Sequence, residues 1–177
     1  MTSKRVRTIP IARRYWRMLA PKWAHDPLNG AGAALRGGRF NPPGTSALYM
    51  SEEFSTAVAE YEQDIGIRPG TLCAYDVKSE RIADLADART LGELGVDAEM
   101  LRTPWKHIAF VEKRAPATWS LCERLLSEKI DGVRVPSVQA AGSNLVLWRW
   151  NIEGAAKVAA IDPLRDLPKD QSSWKRP

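Results

Sequence analysis

The stretch GGRFNPPGTSALYMSEEFSTAVAE, residues 37–60, passes from loop to strand to helix, and its reading decides the fold class. Glycines and prolines open it as a loop whose backbone can pass close to another group. Ala47-Leu48-Tyr49-Met50 follows as a short apolar strand. Ser51 is a good N-cap, and Glu52 and Glu53 sit in the first turn, where the helix dipole favours negative charge. Phe54, Ala57, Val58, Tyr61 and Ile65 recur at helical spacing, which predicts a helix to Ile65 stopped by Gly66. Glu60 falls roughly 60° around that helix from Ala57, on the border of the buried stripe, where it can face a cleft.

Working outward, residues 1–13 read as a polar arm or an edge strand, and Tyr15-Trp16-Arg17-Met18-Leu19 as a strand ended by Pro21. Pro21 to Gly44 reads as one long loop, a length that is uncommon inside a domain and often functional. Strands are predicted at Thr71–Val77, Arg81–Leu85, Val133–Val135, Asn144–Trp150 and Lys157–Ile161. Asp87 caps a short helix through Leu94, Thr103-Pro104 starts a brief one, and Pro116–Ile130 forms a second amphipathic helix. Trp148 and Trp150 alternate along one strand and are expected to share a face. The tail from Pro163 reads as irregular. Strands and helices intermix without strict βαβ alternation, so the expected fold class is α+β. The prediction is a single domain with a curved mixed β-sheet and flanking helices, an arm at 1–14, a body at 15–162 and a tail at 163–177.

The chain has 177 residues and a net charge of +5, with basic residues gathered towards both ends. That charge would attract nucleic acid or a phosphate-bearing small molecule. No apolar run is long enough to span a bilayer, and the basic N-terminus lacks the apolar core of a secretory signal. Cys73 and Cys122 form no CxxC pair, and His25 and His107 have no metal-ligand spacing. The expectation is an intracellular, cytoplasmic protein without a metal. The GAGAAL run at 30–35 lacks the third glycine of a dinucleotide fingerprint, and there is no P-loop and no GxSxG elbow. No helix-turn-helix, RNP or zinc pattern supports direct nucleic-acid binding, which stays the weaker reading.

Four residues then make chemical sense as one site. The Arg39 guanidinium can grip a diphosphate through parallel charge-assisted hydrogen bonds. Tyr49 offers a ring to stack on nicotinamide and a hydroxyl for a ribose. Glu60 suits an oxocarbenium-like transition state, as carboxylates do in glycoside hydrolysis. Ser137 can hydrogen-bond a ribose or an amide. Asn41 joins them as a substrate contact beside Arg39.

The phrase at 37–60, together with Tyr15-Trp16-Arg17 and Val135-Pro136-Ser137, resembles the RES domain family, the toxin halves of RES–Xre toxin–antitoxin pairs. The likeness runs from Tyr15 to about Asn151; Phe40 stands where the family usually has Trp. It maps the family's Arg, Tyr and Glu onto Arg39, Tyr49 and Glu60, and its Ser onto Ser137, with Ser143 as second candidate. Arg17 matches an Arg of the first strand and is either a second phosphate ligand or a salt-bridge partner. The resemblance implies an ADP-ribosyltransferase-like fold, NAD as substrate, and an Xre-type antitoxin over the cleft. It leaves open whether ADP-ribose goes to a protein such as phosphoribosyl pyrophosphate synthetase, or to water or phosphate as in NAD glycohydrolases and phosphorylases. It also leaves open a homodimer.

Overall fold

A computed structural model of the chain describes residues 6–63 and 66–172. Six strands form one sheet: β1 (Ile9–Leu19), β2 (Leu48–Ser51), β3 (Thr71–Asp84), β4 (Gly132–Pro136), β5 (Ser143–Leu147) and β6 (Lys157–Ala160). The long β3 holds β1 along one edge, from Ile9↔Ile82 to Leu19↔Thr71. Its other edge carries β6 antiparallel at residues 75–78 and β4 parallel at 82–84. β4 pairs with β5, β5 with β2, and β2 returns to β1 at Trp16↔Ser51. The sheet therefore curls until five strands close a ring, as its right-handed twist allows. All pairings are antiparallel except β3–β4, so the predicted mixed, curved sheet is what forms.

Alternation along the strands sorts side chains into two apolar cores. Tyr15, Leu19, Leu48, Met50, Tyr75, Leu145 and Leu147 fill the ring. Phe40, Val133, Val135, Val146 and Trp148 face outward and pack under helix α4 (Ala117–Ser127) through Leu121, Cys122 and Leu125. The remaining helices are α1 (Ala31–Arg36), α2 (Phe54–Glu62) and α3 (Ala88–Leu94), the last capped by the Asp87 carboxylate as predicted. Among the described residues no helix is long and apolar enough to cross a membrane.

Several elements differ from the sequence reading. Of the two readings of residues 1–13, arm or edge strand, the strand holds from Ile9, because residues 9–14 pair with β3 and so do not belong to the expected 1–14 arm. The segments at 71–77 and 81–85 are one strand, irregular where Ile9 and Ile11 shift register against it. The 21–44 loop contains a 3₁₀ turn (Pro21–Trp23) and α1, whose alanines and leucine favour helix. Ser51 does not cap α2. Its backbone lies in β2 and its hydroxyl donates to Asn144 Oδ1 at 2.7 Å, so the helix begins after Glu53 without a side-chain cap. The expected helical Ile65 lies outside the described residues. β5 stops at Leu147 because the Asp131 carbonyl captures the N–H groups of Trp148 and Arg149. The two tryptophans consequently part, Trp148 into the outer core and Trp150 against the ring.

Candidate active site

The Gly37–Asn41 loop is pinned from several directions. Trp119 Nε1 donates to the Gly38 carbonyl at 2.7 Å and Trp148 Nε1 to that of Phe40 at 2.9 Å. The Thr118 hydroxyl donates to the Arg39 carbonyl. Asn41 is fully buried, and its amide donates to the carbonyls of Ala33, Pro42 and Thr45. The Tyr49 hydroxyl donates to Asn41 Oδ1 at 2.6 Å and accepts from the Phe40 N–H at 3.0 Å. Gly38 is required for this approach: a Cβ there would overlap the Tyr49 hydroxyl and lie 2.6 Å from Asn41 Oδ1. Every polar atom of the Asn41 side chain is thus used inside the loop. It holds the loop and does not face a ligand, which corrects the reading of Asn41 as a substrate contact.

What this loop presents is Arg39, at the wall of a cavity of about 410 Å³. The lining includes Arg39, Tyr49, Glu60, Trp105, His107 and Asn144. That volume lies within the range of small-molecule sites, roughly 300–1,000 Å³. Arg39 Nη1 donates to the carbonyls of Leu101 (3.2 Å) and Thr103 (2.6 Å), which fix the fork from behind. Its Nε and Nη2 find no acceptor among the described residues. Burial pulls the guanidinium below the usual arginine range and the Glu60 charge opposes that pull, yet an arginine stays cationic under such shifts.

Across the cavity, Glu60 Oε1 accepts from Ser137 Oγ at 2.7 Å and from Asn144 Nδ2 at 2.6 Å. The Ser137 oxygen accepts from the N–H groups of Gln139 (3.1 Å) and Ala140 (3.1 Å), so the turn after β4 is built around it. Ser143, the other candidate, pairs with Pro136 in the sheet, and no side-chain bond joins it to Glu60 among the described residues. A second cavity of about 260 Å³ shares Tyr49, Glu60, Gln63 and Asn144 with the first, which puts Glu60 at the boundary of two lobes. The Tyr49 ring lines both lobes, but its hydroxyl is committed to the loop, and burial raises its pKa further. What Tyr49 offers the cavities is therefore chiefly its ring face, since its hydroxyl hydrogen is already donated to Asn41.

Arg17 lines the second cavity, but its Nη1 reaches the Pro27 carbonyl at 3.4 Å and its charge lies beside Tyr75. Its neighbours Trp16 and Met18 point the other way, towards Phe54 and Gly70. Among the described residues Arg17 forms no salt bridge, and the Pro27 carbonyl holds one end of its guanidinium at the wall of the second cavity. Asn144 went unnoticed in the sequence because an asparagine opening a strand carries no signal until its partners are known. His107, which has no metal-ligand spacing in the sequence, lines the larger of these two cavities, and its Nε2 lies 3.5 Å from Glu112. Among the described residues no cluster of His, Cys, Asp or Glu could hold a metal ion.

Comparison with known proteins agrees with this architecture. The chain is similar to a chain in the crystal structure of the M. tuberculosis MbcT–MbcA toxin–antitoxin complex, with a TM-score of 0.57, 19% identity, and coverage of 88% of this chain and 87% of the other. At that identity the likeness speaks for the fold. No curated protein matches the sequence significantly. The model of the RES domain matches residues 14–170, and the chain therefore belongs to the RES domain family.

Proposed function

We propose that this protein is the toxin of a toxin–antitoxin pair and that it consumes NAD by breaking the nicotinamide–ribose bond. The observation that carries this reading is the convergence of Arg39, Tyr49 and Glu60, from three separate elements, around one cavity, with Ser137 held against the Glu60 carboxylate from behind its wall. Arg39 would clamp the pyrophosphate with its unused N–H groups. The Tyr49 ring would stack on nicotinamide or its ribose. As the C1′–N bond breaks, its electron pair leaves with nicotinamide, and the ribosyl cation that develops lies beside the Glu60 carboxylate. An acceptor X–H then bonds to C1′ and gives up its proton. NAD and X–H become nicotinamide, ADP-ribosyl-X and a proton.

The acceptor in this reading is a protein side chain, and the cytoplasm is where the reaction takes place. Beside the cavity, Trp105 stacks edge-on with half-exposed Phe110 at 5.9 Å, and Val111 and Val138 are also exposed. An apolar rim of this kind suits contact with another protein. An Xre-type antitoxin seated over the same mouth would exclude NAD, in line with the toxin–antitoxin assembly of the structural relative. Two of the basic residues near the N-terminus are engaged locally, Arg13 with Glu52 and Glu53 and Arg14 with Asp76, which argues against a nucleic-acid stripe along β1. Mass spectrometry after incubation with NAD, with and without phosphate or cell extract, tests the proposal. An ADP-ribosylated protein is expected. ADP-ribose or its phosphate ester as sole product would move the acceptor to water or phosphate, and intact NAD would refute the reaction.

A further inference from the structure

The hydrogen bonds around Glu60 have a fixed direction. Ser51 and Asn144 face each other in register across β2 and β5, and the Ser51 hydroxyl donates to Asn144 Oδ1 at 2.7 Å. That bond occupies the carbonyl end of the amide, so the NH₂ end must face Glu60, where Nδ2 lies 2.6 Å from Oε1. Ser137 is ordered in the same way. Two backbone N–H groups occupy its lone pairs, and its single hydrogen points to the same Oε1. Only donors meet this oxygen. The other oxygen, Oε2, has a long contact of 3.4 Å with Gln63 Nε2. The carboxylate is therefore anchored through Oε1, while Oε2 is met only by the long contact with Gln63, a residue that lines both cavities.

We propose that Asn144, oriented by Ser51, is a positioning residue that holds the Glu60 carboxylate at the boundary of the two cavities with Oε2 directed at the ligand. This rests on the reading of Glu60 as the reactive carboxylate. Asn144 acts through Glu60, and the Ser51–Asn144 pair carries the geometry of the β2–β5 ladder into the site.

The test is NAD turnover by wild type, Asn144→Ala, Asn144→Asp and Ser51→Ala between about pH 5.5 and about pH 8, with Glu60→Gln as the inactive reference. Asn144→Ala lowers kcat about 10- to 100-fold with KM within about twofold, the scale for losing one hydrogen bond to a charged group. Ser51→Ala lowers it less, because the amide remains but can turn. Asn144→Asp is the weakest at the alkaline end, where two carboxylates confront each other, and regains activity on acidification as the pair takes up one proton and again offers a donor. Besides Glu60, the titratable or charged groups lining the cavities are Arg17, Arg39, Tyr49, Tyr61, Lys106 and His107. They are common to both Asn144 variants, so the difference between the two pH profiles isolates position 144. A wild-type kcat in Asn144→Ala, or identical pH profiles for the two variants, overturns the proposal. A turnover-independent readout is the side-chain amide signal of Asn144 in ¹H–¹⁵N NMR. It shifts in Glu60→Gln and in Ser51→Ala but not in Ser143→Ala, and an unmoved signal overturns the proposal. Should the wild type leave NAD intact, the reaction assignment fails, and the NMR result alone decides the positioning role.

Discussion

Glu60 on α2 and Ser137 after β4 meet through a 2.7 Å hydrogen bond although 77 residues separate them in sequence. The contact exists because β2, which leads into α2, and β4 both flank β5, and the closed sheet brings their ends to one place.

Ser137→Ala removes a donor to Glu60, and NAD turnover falls about tenfold or more. Ser143→Ala, at the neighbouring sheet position, stays within about twofold of wild type in the same assay. Melting temperatures measured alongside separate loss of the site from loss of the fold. Equal turnover in both variants would remove Ser137 from the site.

Tyr49→Phe separates the two uses of that ring. The lost hydroxyl leaves the buried Asn41 Oδ1 and the Phe40 N–H without their partner, which costs about 1–3 kcal/mol in urea unfolding. The stacking face remains, so KM for NAD changes less than about twofold at temperatures where the variant is folded. A large rise in KM with unchanged stability would show that the hydroxyl contacts the substrate.

Gly38→Ala drives a methyl group against the Tyr49 hydroxyl and Asn41. Denaturant unfolding should register a loss of about 1–3 kcal/mol, as for overpacked cores. Gly92→Ala, where nothing lies within 4 Å of the added carbon, serves as the comparison and is neutral or stabilising.

Both cysteines are buried, and burial raises both thiols, Cys122 to about 12. A raised pKa keeps the neutral thiol below that pH, and the thiolate is the reactive form. Native protein at about pH 8 should therefore give almost no reaction with a disulfide reagent such as DTNB, and denatured protein should react at both positions. Rapid labelling of the native chain would contradict the burial of these side chains.

The legible part of this protein is what its local chemistry encodes. Two glycines before Arg39, the apolar run at Tyr49 and the helical spacing through Glu60, read with the family resemblance, pointed to three residues that line one cavity, and apolar runs and alternation marked part of every strand though not its full extent. What stayed hidden depends on contacts distant in sequence. Ser51 looked like a helix cap because its true partner, Asn144, belongs to another strand. Asn41 looked available for a ligand because its bonds to Ala33, Thr45 and Tyr49 are tertiary. Arg17 was read as a phosphate ligand or a salt-bridge partner, and the Pro27 carbonyl that its Nη1 reaches is a contact that no strand pattern encodes. The split of Trp148 from Trp150 follows from one backbone carbonyl, that of Asp131, which no periodicity reveals.

The most direct measurement is nicotinamide release from NAD by purified wild type and by Glu60→Ala, each first shown to be folded by its melting curve. Wild type is expected to release nicotinamide, and the variant to melt as a folded protein and release none above background. Release by Glu60→Ala at the wild-type rate would show that the carboxylate facing Arg39 across this cavity does not carry the reaction.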